Sequence, residues 1–361
     1  MPVLPLPEHS NPHAMLLNSQ TGLQMGNLWR NLAGNFQIPR EPHQPQIKKN
    51  IQWFTQNPDY LTRTTQRATP YMYLIYEQIQ QRGLPADVAL LPMIESAYYP
   101  YSYSGAGAAG LWQLMPGTAK DMGVKRTRFY DGRHDIFVST HAALDYLVYL
   151  QKIFKNDWLL TIAAYDAGPG RVQKAINKNL GQGKPIDFWS LDLPEETQHY
   201  IPRFLALLNI IHNPEAYGIT LPDIENQPYL ARIDMGAKIN LKEAARLANI
   251  SLKDLKHLNP HYHQHLLLPI DKVDTFKKNL ARATRTTQIT WGHHKMQPGE
   301  TLESIAQQYH TSVIALRKAN TGNKTMLLIP IVTEVIGEAS ETIPLKIPSL
   351  RTERTRATQS S

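Results

Sequence analysis

Apolar and polar positions alternate with a helical period over residues 71–82 (YMYLIYEQIQQR), which predicts an amphipathic helix closed by Gly83. Pro85 suits the first turn of a second helix over residues 86–97, and Pro92 inside it predicts a kink. A Gly- and Ala-rich stretch at 104–110 (SGAGAAG) leads into the apolar run LWQLM. Helical periodicity returns over 137–155, 157–167, 170–178 and 197–212, and it starts weakly from Leu28. Strand alternation is almost missing between 70 and 215, so this part reads as one all-helical domain.

After Asn213 and Pro214 the pattern changes. The stretch NLKEAARLANISLKDLKHLN at 240–259 resembles TLESIAQQYHTSVIALRKAN at 301–320, with Ser251 falling on Ser312 and Asn259 on Asn320. Each copy predicts a helix, a turn at the serine and a second helix, followed by an apolar strand (HLLLPI or MLLIPIV). The segments ARIDM and HHKMQ ahead of the copies suit pairing with those strands, which gives two βααβ modules. The expected organisation is a flexible leader at 1–23, a helical domain at 24–215, modules at 228–271 and 293–332, and a mobile tail at 334–361.

Composition narrows the chemistry. Cysteine is absent from the 361 residues, which excludes disulfides, thiolate metal sites and cysteine nucleophiles. No apolar run approaches the roughly 18 residues of a spanning helix. Residues 1–220 hold 19 Lys and Arg against 17 Asp and Glu, while residues 221–361 hold 19 against 13. The basic excess therefore sits in the last third, where it fits a solvated tail or attraction to a polyanion, either nucleic acid or an acidic cell wall.

The first candidate for chemistry is Glu95. On a helix its neighbours three and four positions away are Leu91, Pro92, Tyr98 and Tyr99, none charged. An apolar shell and a position at the carbonyl end of a helix both raise a carboxyl pKa, and a carboxyl that stays protonated can donate to a leaving oxygen. Local pattern leaves open the alternative of a glutamate exposed at a helix end.

The string from Glu95 to Ala119 resembles the signature of the lytic transglycosylases that share the goose-type lysozyme fold. The matching positions are Glu95, Ser96, Ser104, Gly107, Ala108, Gly110, Leu111, Gln113, Met115 and Pro116. AAYDAGPGRV at 163–172 and ETQHYIPRFLAL at 196–207 resemble two later elements of the same family. HKMQPGETLESIAQQYHTSVIALRKAN resembles a LysM module, a βααβ unit that binds N-acetylglucosamine polymers, and the copy before it is a degenerate version. The implied fold class is α+β and multidomain: an all-α lysozyme-like catalytic domain, then small LysM-like modules.

The resemblance implies cleavage of the β-1,4 bond between N-acetylmuramic acid and N-acetylglucosamine in peptidoglycan. Glu95 serves as acid and then base, and a 1,6-anhydro end forms without water. A hydrolytic muramidase and a non-catalytic wall-binding scaffold are the alternatives. By matched position, Tyr165 would hold Glu95 by a phenolic hydrogen bond, and Ser104 and Gln113 would contact the acetamido groups or the backbone carrying them. Tyr200 would line the cleft, and Trp112 and Tyr99 would pack on sugar faces or support Glu95. Asp166 stands where the family has asparagine. It would act as a substituted binding residue, raise the Glu95 pKa, activate water or cap the following helix.

The expected partners are glycan strands, with no cofactor, no metal and no nucleic acid, since no nucleic-acid motif is present. The alternating His261, His263 and His265 read as a polar loop rather than as metal ligands. The glycines at 105, 107 and 110 lack the βαβ setting of a dinucleotide fingerprint. The opening residues do not read as a signal peptide. Placement in the periplasm or envelope thus rests on the substrate, membrane contact would need an N-terminal anchor, and a monomer is expected.

Overall fold

The computed structural model describes residues 26–127, 130–234, 238–262, 265–283, 285–297, 299–320 and 326–336. The leader at 1–23, His263 and the tail beyond 336 lie outside these.

Among the described residues ten α-helices come first: α1 (Leu28–Gly34), α2 (Pro45–Gln56), α3 (Pro58–Ala68), α4 (Met72–Gln81), α5 (Leu91–Glu95), α6 (Pro116–Asp121), α7 (Ile136–Ile153), α8 (Trp158–Ala167), α9 (Pro169–Leu180) and α10 (Glu195–His212). There follow β1 (Leu230–Asp234), β2 (Lys238–Ile239), α11 (Leu241–Ala248), α12 (Leu252–Leu258), β3 (His265–Pro269), α13 (Ile270–Leu280), β4 (Arg285–Lys295), α14 (Leu302–Gln308), α15 (Val313–Ala319) and β5 (Met326–Ile336).

Local chemistry sets the helix ends. The Asp135 and Asp157 carboxylates accept from the amides of Val138 and Leu160, each at 3.0 Å, and so cap α7 and α8. Pro169 sits in the first turn of α9, where its missing N–H costs nothing. The expected continuous helix over 86–97 is instead a 3-10 turn, Ala86–Leu90, followed by α5. Pro92 has no amide to offer an α-helix running through it, so the helix restarts with Pro92 in its first turn.

The chain divides into two compact units, one of residues up to Asp234 with Ile250–Val273, the other of Met235–Asn249 with the residues from Asp274 on. In the first, α10 packs against α1, α2 and α8 and buries Ile201, Phe204, Leu205, Leu207, Leu208 and Ile211. The same unit holds the antiparallel pair β1–β3, registered Leu230 to Pro269 and Asp234 to His265. Buried Asn259 ties α12 to β3, accepting from Leu267 N at 2.7 Å and donating to its carbonyl at 2.8 Å.

In the second unit β4 and β5 pair antiparallel over eleven residues, with β2 parallel on the other side of β5. Helices α14 and α15 lie between those strands in sequence, the expected βααβ order. Ser251 and Ser312, aligned by the repeat, both cap their helices by accepting from the amide three residues on. Among the described residues no helix is long and apolar enough to cross a membrane.

Candidate active site

Glu95 is the last residue of α5. Ala97 and Tyr98 follow with φ of 49° and 55°, left-handed conformations that stop the helix and reverse the chain. Tyr98 is fully buried, and its hydroxyl donates to Ala89 O at 2.6 Å, which folds the reversed segment onto the preceding 3-10 turn. Glu95 is consequently held at a fixed helix end, deep in the unit yet partly open to solvent.

Its carboxyl accepts a short hydrogen bond from the Tyr200 hydroxyl, delivered from the middle of α10. Burial pushes the Glu95 pKa up to about 8; the Tyr200 bond opposes this, and the nearby carboxylates of Asp166 and Glu196 push it further up. A side chain so placed is a neutral acid at pH 7. Burial, and then the proximity of Glu95, raise the Tyr165 and Tyr200 phenols well above their ordinary value, so both remain hydrogen-bond donors.

The expected roles of the two tyrosines are corrected here. Tyr165 does not bond to Glu95; its hydroxyl donates to Trp112 O at 2.7 Å. Tyr200, expected to line the cleft, makes the bond to Glu95 and is only 8% exposed. The pairing follows from which face of α8 and of α10 points at the end of α5.

Trp112 is corrected as well. It is 0% exposed, and its indole N–H donates to Thr140 Oγ1 at 3.0 Å. No sugar reaches its face, so it supports the site from the core. Tyr99, by contrast, is 41% exposed, with the Arg67 guanidinium 5.4 Å from its ring centroid.

The Gly-rich segment folds back on itself beside Glu95, with Ala109 bridging Tyr103 and Leu114. The Ser96 hydroxyl donates to Leu111 O at 2.8 Å, tying the loop to the residue next to the acid. Ser104 Oγ accepts from Ala108 N at 2.9 Å, which leaves its own hydrogen available to a ligand. Gln113 adopts φ 44°, and its Nε2 donates to Gly110 O at 2.8 Å, which leaves its amide oxygen as an acceptor. Both expected acetamido contacts retain a free group of the right kind.

Asp166 lies on α8 near Glu95, and the Thr197 hydroxyl donates to its carboxylate. Burial is the main cause that raises its pKa, with Glu196 adding to it, while Thr197 and Arg171 work against the rise. The capping role is not made, because the N-cap of α9 is Gly168 and no side chain caps it.

Two residues were not legible beforehand. Arg133 is completely buried; its guanidinium donates to Gly107 O at 2.6 Å and Leu114 O at 3.0 Å, and binds Asp131 at 2.7 Å. It staples the two ends of the loop, but as a single arginine between turns it leaves no sequence pattern. Glu196, in the first turn of α10, contributes charge to the Glu95 environment. Its signal was its place at the start of the third family-like element.

His261 stacks on His134 with ring centroids 4.5 Å apart, and its Nδ1 accepts from Asp131 N at 3.4 Å. Among the described residues no group of three or more His, Asp or Glu side chains forms a metal cage.

Comparison with known proteins gives three matched families: a transglycosylase SLT domain over residues 72–187, a lytic transglycosylase MltD LysM-like domain over 229–285, and a LysM domain over 294–331. Membrane-bound lytic murein transglycosylase D of Escherichia coli is 37% identical over 314 residues, covering 82% of this chain and 69% of that protein. The putative tributyltin chloride resistance protein of an Alteromonas species is 37% identical over 186 residues, 50% of this chain and 88% of that one. Among solved structures, an inactive mutant of lytic transglycosylase Slt from Pseudomonas aeruginosa is 26% identical with a TM-score of 0.33, covering 43% of this chain and 25% of that one.

Proposed function

Because the chain belongs to the family of lytic murein transglycosylases, we propose that Glu95 is its single catalytic acid and base in cutting the β-1,4 bond between N-acetylmuramic acid and N-acetylglucosamine. The protein is an enzyme of peptidoglycan, acting in the bacterial cell envelope. The observation that carries the assignment is a carboxyl held at the end of α5, partly open to solvent and anchored by Tyr200, where burial pushes its pKa upward.

In the first step the Glu95 proton passes to the glycosidic oxygen, which leaves as the 4-hydroxyl of N-acetylglucosamine. The 2-acetamido oxygen of the muramic residue stabilises the electron-poor C1. The muramic 6-hydroxyl then attacks C1 and gives its proton to the Glu95 carboxylate. The product is a 1,6-anhydro end, no water is consumed, and the acid is regenerated, which makes the reaction that of a carbon–oxygen lyase. Intramolecular attack draws on proximity, with effective molarities on the order of 10⁵ M or more for well-oriented groups.

Glycosidases of the two-carboxyl kind need a second group about 5–9.5 Å away. Asp166 and Glu196 are the carboxylates close enough to Glu95 to raise its pKa, with Asp166 the stronger of the two. That observation sustains hydrolysis as a second reading. Ser104 and Gln113 direct their free donor and acceptor to the acetamido groups, and Tyr200 holds the Glu95 carboxyl through both steps. The module at 229–285 and the LysM module at 294–331 tether the enzyme to glycan strands.

Digestion of purified sacculi followed by mass spectrometry separates the readings. Lytic cleavage leaves anhydro-terminated fragments, lighter by one water than the reducing ends of hydrolysis. Glu95→Gln abolishes release on either reading and leaves wall binding intact.

A further inference from the structure

Away from Glu95 the first unit carries two concavities of about 460 and 480 Å³, both along α12 and sharing Asp254 and His257. Together they form one trough between α12 and the helical domain. The trough is fixed in place by two phenols: Tyr101 donates to Lys256 O at 2.7 Å and Tyr71 to His257 O at 3.0 Å. Both carbonyls lie in the last turn of α12, where Lys256 O also accepts from Asn259 N at 3.2 Å, so the two phenols clamp the end of that helix.

The charged side chains lining the trough are Lys253, Lys256 and Lys272 against Asp254 and Asp271, and Lys272 pairs with Asp271 at 2.9 Å. Asp254 is engaged by Ser251, whose hydroxyl donates to it at 2.6 Å. Lys253 and Lys256 are exposed, and neither has a carboxylate within ion-pair distance among the described residues. Two free ammonium groups beside a phenol ring make a surface for an extended anionic ligand.

Position supplies the rest. Tyr101 is six residues beyond Glu95 in sequence, a span of at most about 20 Å, and the reversal at Ala97 and Tyr98 shortens it. A peptide stem of four or five residues on the muramic lactyl group reaches about 15 Å when extended. Such stems are rich in carboxylates.

The geometry points to this trough as the seat of a peptide stem of the substrate, its carboxylates meeting Lys253 and Lys256 while the glycan strand lies at Glu95. The inference rests on the reading of the chain as a peptidoglycan-cleaving enzyme, and it adds that the enzyme distinguishes stem-bearing from naked glycan. The helix α12, outside the catalytic domain proper, becomes part of substrate recognition.

The test uses the full chain and its Lys253→Glu/Lys256→Glu variant on two substrates, glycan strands with stems and the same strands stripped of them by an amidase. The variant is expected to lose about tenfold in kcat/KM on stem-bearing strands, two solvent-screened charge contacts being worth roughly that factor, and to match the parent on naked strands. Equal loss on both substrates, or no loss on either, overturns the proposal. Titration of the Glu95→Gln full chain with free stem tetrapeptide reads the trough without catalysis: binding that the two lysine changes abolish supports it, and absence of binding overturns it. A Glu95→Gln chain that still cuts strands would instead defeat the catalytic assignment, whatever the peptide does.

Discussion

The Tyr200 hydroxyl donates to the Glu95 carboxyl across 105 residues of sequence, joining the centre of α10 to the end of α5. A phenol in this position favours the charged carboxylate, whereas burial favours the neutral acid, and burial prevails. Tyr200→Phe therefore raises the Glu95 pKa above about 8 and leaves the carboxyl without its anchor. The expected result is an alkaline limb of the kcat/KM profile moved to higher pH, with kcat lowered by about 10- to 100-fold from loss of alignment. A profile that does not move contradicts the role given to this bond.

Asp166 acts in the opposite sense, its charge adding to the rise of the Glu95 pKa. Replacing it with asparagine removes that charge while keeping an acceptor for the Thr197 hydroxyl. The alkaline limb of Asp166→Asn should move to lower pH with the anhydro product unchanged. Loss of reducing-end products in the variant would identify Asp166 as a base for water.

The raised pKa of Glu95 is also a statement about stability. The folded-state value lies above that of an unfolded glutamate, so the neutral carboxyl is accommodated without penalty below about pH 4.5, and the cost of burying its charge builds as pH rises through about 8. Glu95→Gln removes the ionisation. Its Tm should exceed that of the parent at pH 9 by several degrees, at about 2–4 °C per kcal/mol for a unit of this size, and the gap should close by pH 5. Calorimetric melts at the two pH values measure it.

Gly110 combines φ +81° with a close approach: a Cβ there would lie 1.8 Å from Arg133 O. Gly110→Ala has to displace the Arg133 backbone or unfold the loop. A destabilisation of about 2–4 kcal/mol is expected, with activity lost even at temperatures where the rest of the unit is folded. Thermal unfolding beside sacculus digestion checks both.

Much of this architecture could be read from the chain. The periodicity predicts α4 and α7–α10 to within a few residues, and the 61-residue repeat predicts the strand pairing of each module. What escaped depends on distant packing. Tyr165 and Tyr200 are both tyrosines on helices near Glu95, and only the mutual rotation of α8 and α10 decides which hydroxyl reaches the carboxyl and which reaches Trp112 O. Trp112 lies in a loop whose local pattern does not reveal that its ring enters the core. Arg133 acts on carbonyls 19 and 26 residues away, and nothing local announces it. The 86–97 segment obeyed its proline more strongly than its periodicity. Helix α13 was not anticipated, and β5 continues two residues past the expected start of the tail at 334.

The central claim is that Glu95 holds its proton at neutral pH. Carbon NMR of the full chain labelled at glutamate carboxyl carbons, with Glu95→Gln used to assign the resonance, titrates that group directly. The account predicts a midpoint near 8; a midpoint in the ordinary glutamate range, about 4.3, would contradict it.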